Sequence, residues 1–272
     1  MRSILNPEAV QAYIRLHKKM ALPFTIILSS YTTRIVSKYC DEYFMKNQQS
    51  KSMFAAFAKI KKDISGKEVD KINPYGLQYF STIPFKTDFF ADKVFNIDIK
   101  AAYATILFRD GYISRKTYKY LTTLPKLERL AAVGMLAGKK NVYEVDSFGQ
   151  IISKEKIISP TSDYFFYCVK KTSQLINEAQ NILGSSFIFS WVDGIYFSTN
   201  QPEIKAKEVN KMFSFYGLKT TFETLEDFHV KIYKEFYAAS YLKDGKRKTI
   251  NVPIADNEFT KKITEYLQQK DY

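Results

Sequence analysis

Apolar residues recur every three or four positions in YFFYCVKKTSQLINEAQNIL, residues 164–183, which predicts a helix with one buried face. Gly184 follows this stretch, as glycine commonly does at the end of a helix. The pattern then changes in FIFSWVDGIYFSTN, where β-branched and aromatic residues stand on both sides of a Val-Asp-Gly turn. This change predicts a β-hairpin with strands at 187–192 and 195–199.

Shorter elements are predicted over the rest of the chain. The segment KVFNIDI, residues 93–99, is a strand by its Val, Phe and Ile content, and it runs into KAAYATILF, which has a helical pattern. Further strands are expected within 218–242. Helices are predicted at 6–21, at 24–47, at 113–140 with a break near Pro125 and an end at Gly138, and at 202–216 with an end at Gly217.

Charge and aromatic content point to a polyanionic partner. The 272 residues include 41 Lys and Arg against 28 Asp and Glu, a formal net charge of +13, together with 20 Tyr and 22 Phe. Positive groups interleaved with stacking rings are what binding of single-stranded nucleic acid requires. A basic protein with an aromatic core is an equally good interpretation of the composition. The lysines within 51–71 likewise fit either a solvated helix face or a surface that follows phosphates.

The cysteines and histidines show no metal-binding or disulfide pattern. Cys40 and Cys168 are far apart, so a zinc site and a disulfide scaffold are both poorly supported. His17 and His229 are likewise isolated, and we interpret both as structural residues. The apolar stretch LPFTIILSSY is too short to cross a bilayer, and the N-terminus lacks the pattern of a signal peptide. We therefore expect a cytoplasmic location without membrane contact, in the host cytoplasm if the source is viral.

Two aspartates, Asp98 and Asp193, are the candidate catalytic and metal-binding residues. Asp98 lies at the end of the strand at 93–99, and Asp193 lies in the hairpin turn, 95 residues later. If the two strands are sheet neighbours, the carboxylates converge, and a cation between them relieves their repulsion. Two oxygen ligands suit Mg²⁺ or Mn²⁺, which share their coordination shell with phosphates and can activate a 3′-hydroxyl for in-line displacement. The alternative is that each aspartate only caps a helix or fills a turn.

DIKAAYATI and FSWVDGIYFS, the segments that carry these aspartates, resemble motifs of family B DNA polymerases, in particular of the protein-primed and mobile-element branch. The first segment is similar to the first palm motif, in which a tyrosine follows the aspartate by five residues. The resemblance implies that Asp98 binds metal and that Tyr103 packs against the incoming sugar, which excludes a ribose 2′-hydroxyl. The second segment is similar to the third motif, with Asp193 as its metal-binding second aspartate and Trp191 in place of the first.

PKLERLAAVGMLAGKKN lies between these segments and resembles the second motif of the family, a helix with a lysine, an asparagine and a Tyr-Gly ending. Lys139 matches the lysine that follows that ending and is a candidate substrate-binding residue. Lys126 and Arg129 lie on about the same helical face and are candidates to bind the triphosphate in place of the missing lysine. The three signature side chains are replaced by Leu130, Gly134 and Ala137.

Two further segments resemble nucleic-acid contacts of the family. NPYGLQYFS is similar to a Tyr-x-Gly-Gly type segment that touches the template, with Tyr75 and Gly76 at the matching positions. The segment after the hairpin is similar to a Phe-Glu stretch and a Lys-x-Tyr segment that holds the primer, with Glu223 and Tyr241 matching and Ala239 in place of lysine. Nearby basic residues are expected to contact the nucleic-acid backbone instead: Lys243, Lys246, Arg247 and Lys248.

The resemblance implies an α+β fold, a polymerase palm whose antiparallel sheet is backed by helices. The expected organisation is an N-terminal helical region 1–71, a first palm part 72–108, reduced fingers 109–140, a second palm part 141–250 and a C-terminal helical tail 251–272. The expected function is extension of a DNA primer-template with deoxynucleoside triphosphates. The chain before Asp98 is too short for the exonuclease of the family, so we expect a further protein subunit to supply exonuclease or thumb functions.

Two alternatives are open at this point. Trp191, Gly134 and Ala137 favour a catalytically inactive palm that acts as a nucleic-acid-binding or assembly subunit. WVDGIY is also similar to the Tyr-x-Asp-Asp hairpin of reverse transcriptases, with Gly194 in place of the second aspartate, although no Pro-Gln-Gly segment lies between the motifs.

Overall fold

The computed structural model describes residues 3–4, 7–45, 50–73, 77, 80–82, 88–233 and 236–253. The protein is α+β, as predicted, with two sheets whose described strands pair antiparallel except for one parallel pair near the N-terminus. The chain divides into two compact units. Unit 1 comprises Met1–Gly66 and Lys119–Phe165, and unit 2 comprises Lys67–Tyr118 and Phe166–Tyr272. This division differs from the predicted domain boundaries, because residues 119–165 belong with the N-terminal part of the chain.

Unit 1 is built on a six-stranded sheet. Its strands are β1 (Ser3–Ile4), β2 (Phe24–Ser29), β3 (Thr32–Val36), β4 (Asp41–Met45), β7 (Lys139–Val145) and β8 (Ile151–Ile158). They lie in the order β1-β4-β3-β2-β7-β8. The helices within this unit are α1 (Pro7–Lys19), α2 (Lys51–Ile64) and α5 (Lys126–Gly134).

Helix α1 packs on one face of this sheet. Phe24 lies opposite Val145 in the register of β2 and β7, and both are buried in a core that also contains Phe44. From the helix, Tyr13 meets Phe44 edge-on, with ring centroids 5.4 Å apart, and Ile14 packs against the same core. The sheet and α1 therefore share one hydrophobic core.

The prediction of a helix at 24–47 is wrong, and so is the expectation of a wholly helical region at 1–71. Residues 24–45 form β2, β3 and β4 instead. They include runs of β-branched residues such as Thr25-Ile26-Ile27, which lose side-chain freedom in a helix and pack well on a pleated sheet. The helix predicted at 6–21 is confirmed by α1. The hairpin of β7 and β8 had no counterpart among the predicted elements.

Unit 2 is built on a seven-stranded antiparallel sheet. Its strands are β5 (Phe80–Thr82), β6 (Phe89–Lys100), β9 (Phe187–Trp191), β10 (Gly194–Phe197), β11 (Lys219–Ile232), β12 (Phe236–Lys243) and β13 (Lys246–Pro253). They lie in the order β13-β12-β11-β6-β10-β9-β5. The helices within this unit are α3 (Ala102–Arg109) and α7 (Pro202–Phe215), and the division between the units falls within α4 (Arg115–Thr123) and α6 (Ser162–Leu183).

Helices α6 and α7 bury one face of the unit 2 sheet. Successive side chains of a strand point to opposite faces, so Phe95, Ile97 and Ile99 of β6 share this face. Ile195 and Phe197 of β10 join them in a single apolar cluster. The helices contribute Leu175, Ile176, Ala179, Leu183, Ala206, Val209 and Phe213.

The opposite face of the same sheet carries Val94, Asn96 and Asp98 of β6, and we call it the aspartate face. Val94 belongs to a second buried cluster there, with Phe189, Phe228 and other apolar residues of neighbouring strands. After Val94, the next two side chains of β6 on this face are polar, Asn96 and Asp98. The sheet thus separates a helix-covered apolar core from a face that presents a carboxylate.

Most elements predicted for the remaining chain are confirmed. These are the strand at 93–99, the helix after it, the helices on both sides of Pro125, the helix at 164–183, the hairpin, the helix at 202–216 and the strands within 218–242. The predicted fingers, 109–140, contain α4, α5 and a short 3-10 turn that ends at Gly138. The predicted C-terminal helical tail begins instead with the last residues of β13, and from residue 254 onward it lies outside the described residues. Within the described part of the chain, no helix has the length and apolarity needed to span a membrane.

Phe213→Ala is expected to lower the free energy of unfolding by about 3–4 kcal/mol, because it removes a fully buried ring from the core under the sheet. Phe215→Ala on the same helix is the matched control, since that residue is 79% exposed and its truncation should cost less than about 0.5 kcal/mol. Urea denaturation followed by circular dichroism measures both values. Equal losses in the two variants would contradict the orientation of α7.

Candidate functional site

Asp98 and Asp193 come from adjacent strands of the unit 2 sheet. Strands β6 and β10 pair antiparallel, with Asp98 directly opposite Gly194, the residue that follows Asp193. The backbone N–H of Ile99 donates a hydrogen bond of 3.0 Å to the carbonyl of Asp193, which holds the hairpin turn against the end of β6. Folding therefore brings together two aspartates that are 95 residues apart in the sequence.

Asp98 and Asp193 both contribute to the raised pKa of one buried phenol, that of Tyr196. Burial raises the pKa of this phenol well above its ordinary value, its contact with Tyr241 raises it further, and the negative charges of Asp98 and Asp193 add to the shift. Charges change a pKa appreciably only at short range, and Tyr196 shares the aspartate face with Asp98 by register. Both aspartates are half-buried and lie at the same end of the paired strands β6 and β10.

The turn that carries Asp193 is strained. Trp191 pairs with Gly194, so Val192 and Asp193 form a two-residue turn. Val192 has a φ of +57°, a left-handed conformation that is unfavourable for a β-branched residue and typically costs about 1–3 kcal/mol. Such strain persists only where the surrounding structure imposes it, as the paired strands do here, and it is common at catalytic and ligand-binding turns.

A polar and aromatic layer adjoins the aspartate pair on the same face. Asn96 is buried and donates a hydrogen bond of 3.2 Å from Nδ2 to the carbonyl of Ile195. Tyr196 stacks on Phe189, with ring centroids 4.2 Å apart, and its hydroxyl forms a hydrogen bond with that of Tyr241. These contacts connect β6, β9, β10 and β12 and give the aspartates a fixed base.

Tyr241 is a core residue in the structure, in contrast to the expectation that it contacts a primer. It is only 8% exposed and stacks on Phe228, with ring centroids 6.0 Å apart. Burial also raises the pKa of its phenol. Tyr241 therefore lies within the sheet beneath the site, and its contact with a primer stays a prediction.

The basic residues expected to contact the nucleic-acid backbone lie on the β12–β13 hairpin, and two of them have acidic partners. Lys243 binds Glu223, and this carboxylate raises the pKa of the lysine. Arg247 binds Asp227, whose pKa is lowered by hydrogen bonds from His229 and from this arginine. The exposed basic residues of the hairpin are Lys246, Arg247 and Lys248.

Tyr103 lies in the first turn of α3, directly after the end of β6. Its ring is half-buried and packs against the core that α6 and α7 cover. Ala101, at the junction of strand and helix, has a φ of +53°. Tyr103 thus contributes to packing, and its selection of the sugar stays a prediction.

The three basic residues expected to bind substrate belong to unit 1. Lys126 is exposed at the start of α5, and Nη1 of Arg129 donates a hydrogen bond of 3.3 Å to the carbonyl of Leu124. Lys139 begins β7, where burial lowers its pKa to about 8 and the positive charge of Lys156 contributes to the shift. Arg129 and Lys139 therefore both interact with neighbouring residues of unit 1.

The aspartate pair is a site of two carboxylates. Among the residues that the structure describes, no group of three or more His, Cys, Asp and Glu side chains is arranged to hold a metal ion. Mg²⁺ and Mn²⁺ are commonly bound through one or two carboxylates, with further positions left for water and phosphate oxygens, so the pair fits them. A structural zinc ion, which needs four protein ligands, does not fit.

Two residues of the site, Asn96 and Tyr196, were missed by sequence reasoning. Strand alternation is the signal that finds them, because Asn96 precedes Asp98 by two positions and Tyr196 follows Gly194 by two. Tyr75 and Gly76, which were expected to touch the template, lie outside the described residues.

Comparison of the chain with protein-family models and with curated proteins gave no match. The interpretation of the site therefore depends on the motifs and on the geometry of the sheet.

Asp98→Asn is expected to raise the free energy of unfolding of the metal-free protein by about 1 kcal/mol, because it removes like-charge repulsion with Asp193. Asp92→Asn is the matched control, since Asp92 is exposed on the same strand and its change should stay within about 0.5 kcal/mol. Urea denaturation in excess EDTA measures both variants. A lower stability of Asp98→Asn than of the control would contradict convergence of the two charges.

Proposed function

We propose that this protein is a nucleotidyltransferase of the palm type, a minimal family B-like DNA polymerase that extends a nucleic-acid 3′ end with deoxynucleoside triphosphates. The observation that carries the proposal is the register of β6 and β10, which sets Asp98 beside the turn that holds Asp193. The layered sheet supports it, since helices cover one face and Asp98 lies on the other.

The proposed site takes one or two Mg²⁺ or Mn²⁺ ions. When bound, these ions activate the 3′-hydroxyl and stabilise the leaving pyrophosphate. Asp98 and Asp193 supply the oxygen ligands and the negative charge that hold them. The bond from Ile99 and the strained turn at Val192 fix the position of Asp193, and positioning is what phosphoryl transfer demands most of the protein.

The distribution of charge supports a polyanionic substrate. Unit 1 contains 18 Lys and Arg against 9 Asp and Glu, and thus most of the net charge of +13. Binding of the triphosphate by Lys126, Arg129 and Lys139 stays a prediction from the sequence. The exposed basic residues of the β12–β13 hairpin contact the nucleic-acid backbone, where positive charge matters more than one particular side chain.

A second candidate function is that of an inactive palm, which binds nucleic acid as an assembly subunit. Trp191 favours it, because this indole stands in place of an aspartate of the third motif and packs against the apolar cluster of the aspartate face. The site then has one carboxylate fewer than the motif it resembles. A direct assay of the chemistry separates the two functions.

Asp98→Ala and Asp193→Ala are each expected to lower the rate of primer extension at least about 1000-fold, because each removes a metal ligand. The assay uses a labelled primer, with and without template, the four deoxynucleotides, and MgCl₂ or MnCl₂. Asp92→Ala, on the same strand, should retain the activity of the unmodified protein. Binding of the primer-template, measured by fluorescence anisotropy, should change less than about threefold, because phosphate contacts are made elsewhere.

Extension that survives both substitutions would refute the assignment of the metal ligands. An unmodified protein that binds DNA yet extends no primer in either metal would support the assembly subunit instead. A clear preference for an RNA template would support the reverse-transcriptase interpretation.

Tyr103→Ala is expected to raise incorporation of ribonucleotides relative to deoxynucleotides about tenfold or more, because a small side chain leaves space for the 2′-hydroxyl. Phe95→Ala is the matched control, since Phe95 packs against the same core as Tyr103. Single-nucleotide incorporation with each type of triphosphate gives the ratio. An equal increase in both variants would mean that loosened packing, and not the tyrosine, changes the selection.

A further inference from the structure

Cys40 and His17 of unit 1 contact each other, although the sequence showed no pattern that links them. Sγ of Cys40 lies 3.3 Å from Nε2 of His17. His17 lies in the last turn of α1, and Cys40 directly precedes β4. The contact therefore joins a thiol and an imidazole from two separate elements.

A backbone carbonyl determines which ring nitrogen of His17 carries the proton and which one can accept the thiol proton. Nδ1 lies 2.8 Å from the carbonyl oxygen of Tyr13, which can only accept a hydrogen bond. Nδ1 therefore carries the proton, and the lone pair of Nε2 is directed to the side of Cys40. The ring is held in this orientation by burial, with only 4% of the residue exposed, and by contact with Phe24 at 5.1 Å between ring centroids.

Ser37 adds a hydroxyl to the same cluster. Its Oγ lies 3.0 Å from Nε2 of His17 and 3.4 Å from Sγ of Cys40. When the thiol proton moves to Nε2, the sulfur accepts hydrogen bonds from the imidazolium N–H and from the serine hydroxyl. The thiolate is the form in which cysteine is nucleophilic.

We propose that Cys40 is a reactive thiol that is modified by low-molecular-weight disulfides of the glutathione type. A nucleophile, a base within hydrogen-bond reach and a group that orients the base are the parts that activate a catalytic cysteine, and all three are present. Cys40 is half-buried, since it packs against the unit 1 core but directly follows the exposed residues Lys38 and Tyr39. Cys168 is fully buried, and burial raises its thiol pKa far above the ordinary value.

The reaction is a thiol–disulfide exchange. His17 takes the proton of Cys40, and the thiolate attacks one sulfur of the small disulfide. A new S–S bond forms at Cys40 as the S–S bond of the reagent breaks, and the released thiolate takes the proton back from His17. The small disulfide is the oxidant, and one half of it is reduced to a free thiol.

The test is the reaction of the folded protein with oxidised glutathione at neutral pH, followed by peptide mass spectrometry. Cys40 is expected to acquire the glutathionyl group at least about fivefold faster than a short peptide with the same flanking residues, because Nε2 of His17 is within reach of the thiol proton. Cys168 serves as an internal reference and should stay unmodified until the protein is unfolded. A rate at Cys40 no faster than in the peptide would overturn the proposal.

His17→Gln is expected to slow the modification of Cys40 about fivefold, because glutamine cannot take the thiol proton. The fold of His17→Gln is checked by circular dichroism. Ser37→Ala removes the hydroxyl that contacts both the sulfur and Nε2 of His17 but keeps the imidazole, so this milder variant should slow the reaction about twofold. His229→Gln, the change at the other histidine of the chain, is the matched control. An unchanged rate in folded His17→Gln and in Ser37→Ala would show that the imidazole does not activate the thiol.

Discussion

The pairing of β6 with β10 is the constraint on which the site depends. It places Asp98 opposite Gly194 and fastens the turn at Asp193 through the amide of Ile99. A shift of this register by one residue would turn Asp98 to the helix-covered face, where Ile97 and Ile99 now lie, so the apolar core and the carboxylates are specified together. Burial of the apolar core on one face of the sheet therefore fixes the register that places Asp98 beside the turn of Asp193.

The rest of unit 2 makes this arrangement rigid. Helices α6 and α7 fix the sheet from behind, and the bonded pair Tyr196 and Tyr241, with Phe189 and Asn96, fills the aspartate face next to the carboxylates. The turn at Val192 is held in a conformation that a β-branched residue avoids. A strained turn at Val192 that is held by a rigid sheet keeps Asp193 in one position, as the proposed chemistry requires.

The sequence predicted unit 2 better than unit 1, for a physical reason. In unit 2, helices α6 and α7 have clear apolar periodicity and the hairpin has an unambiguous turn, so the sequence pattern alone identifies them. In residues 24–45 the apolar runs are short, and the spacing of apolar residues cannot distinguish a buried strand from a helix there. The β-branched residues of this segment indicate strands more reliably than the spacing does. Likewise, a family motif could not reveal that Tyr241 is buried, because burial depends on its neighbour Phe228 on another strand. The contact of Cys40 with His17 had no sequence signal at all, since it depends on where α1 packs.

The most direct test of the central claim is a titration with Mn²⁺ followed by electron paramagnetic resonance, which measures metal binding without requiring catalysis. The account predicts saturable Mn²⁺ binding to the unmodified protein and its loss in both Asp98→Asn and Asp193→Asn. Binding that is absent from the unmodified protein, or equal in all three proteins, would contradict the claim that the two carboxylates share a divalent ion.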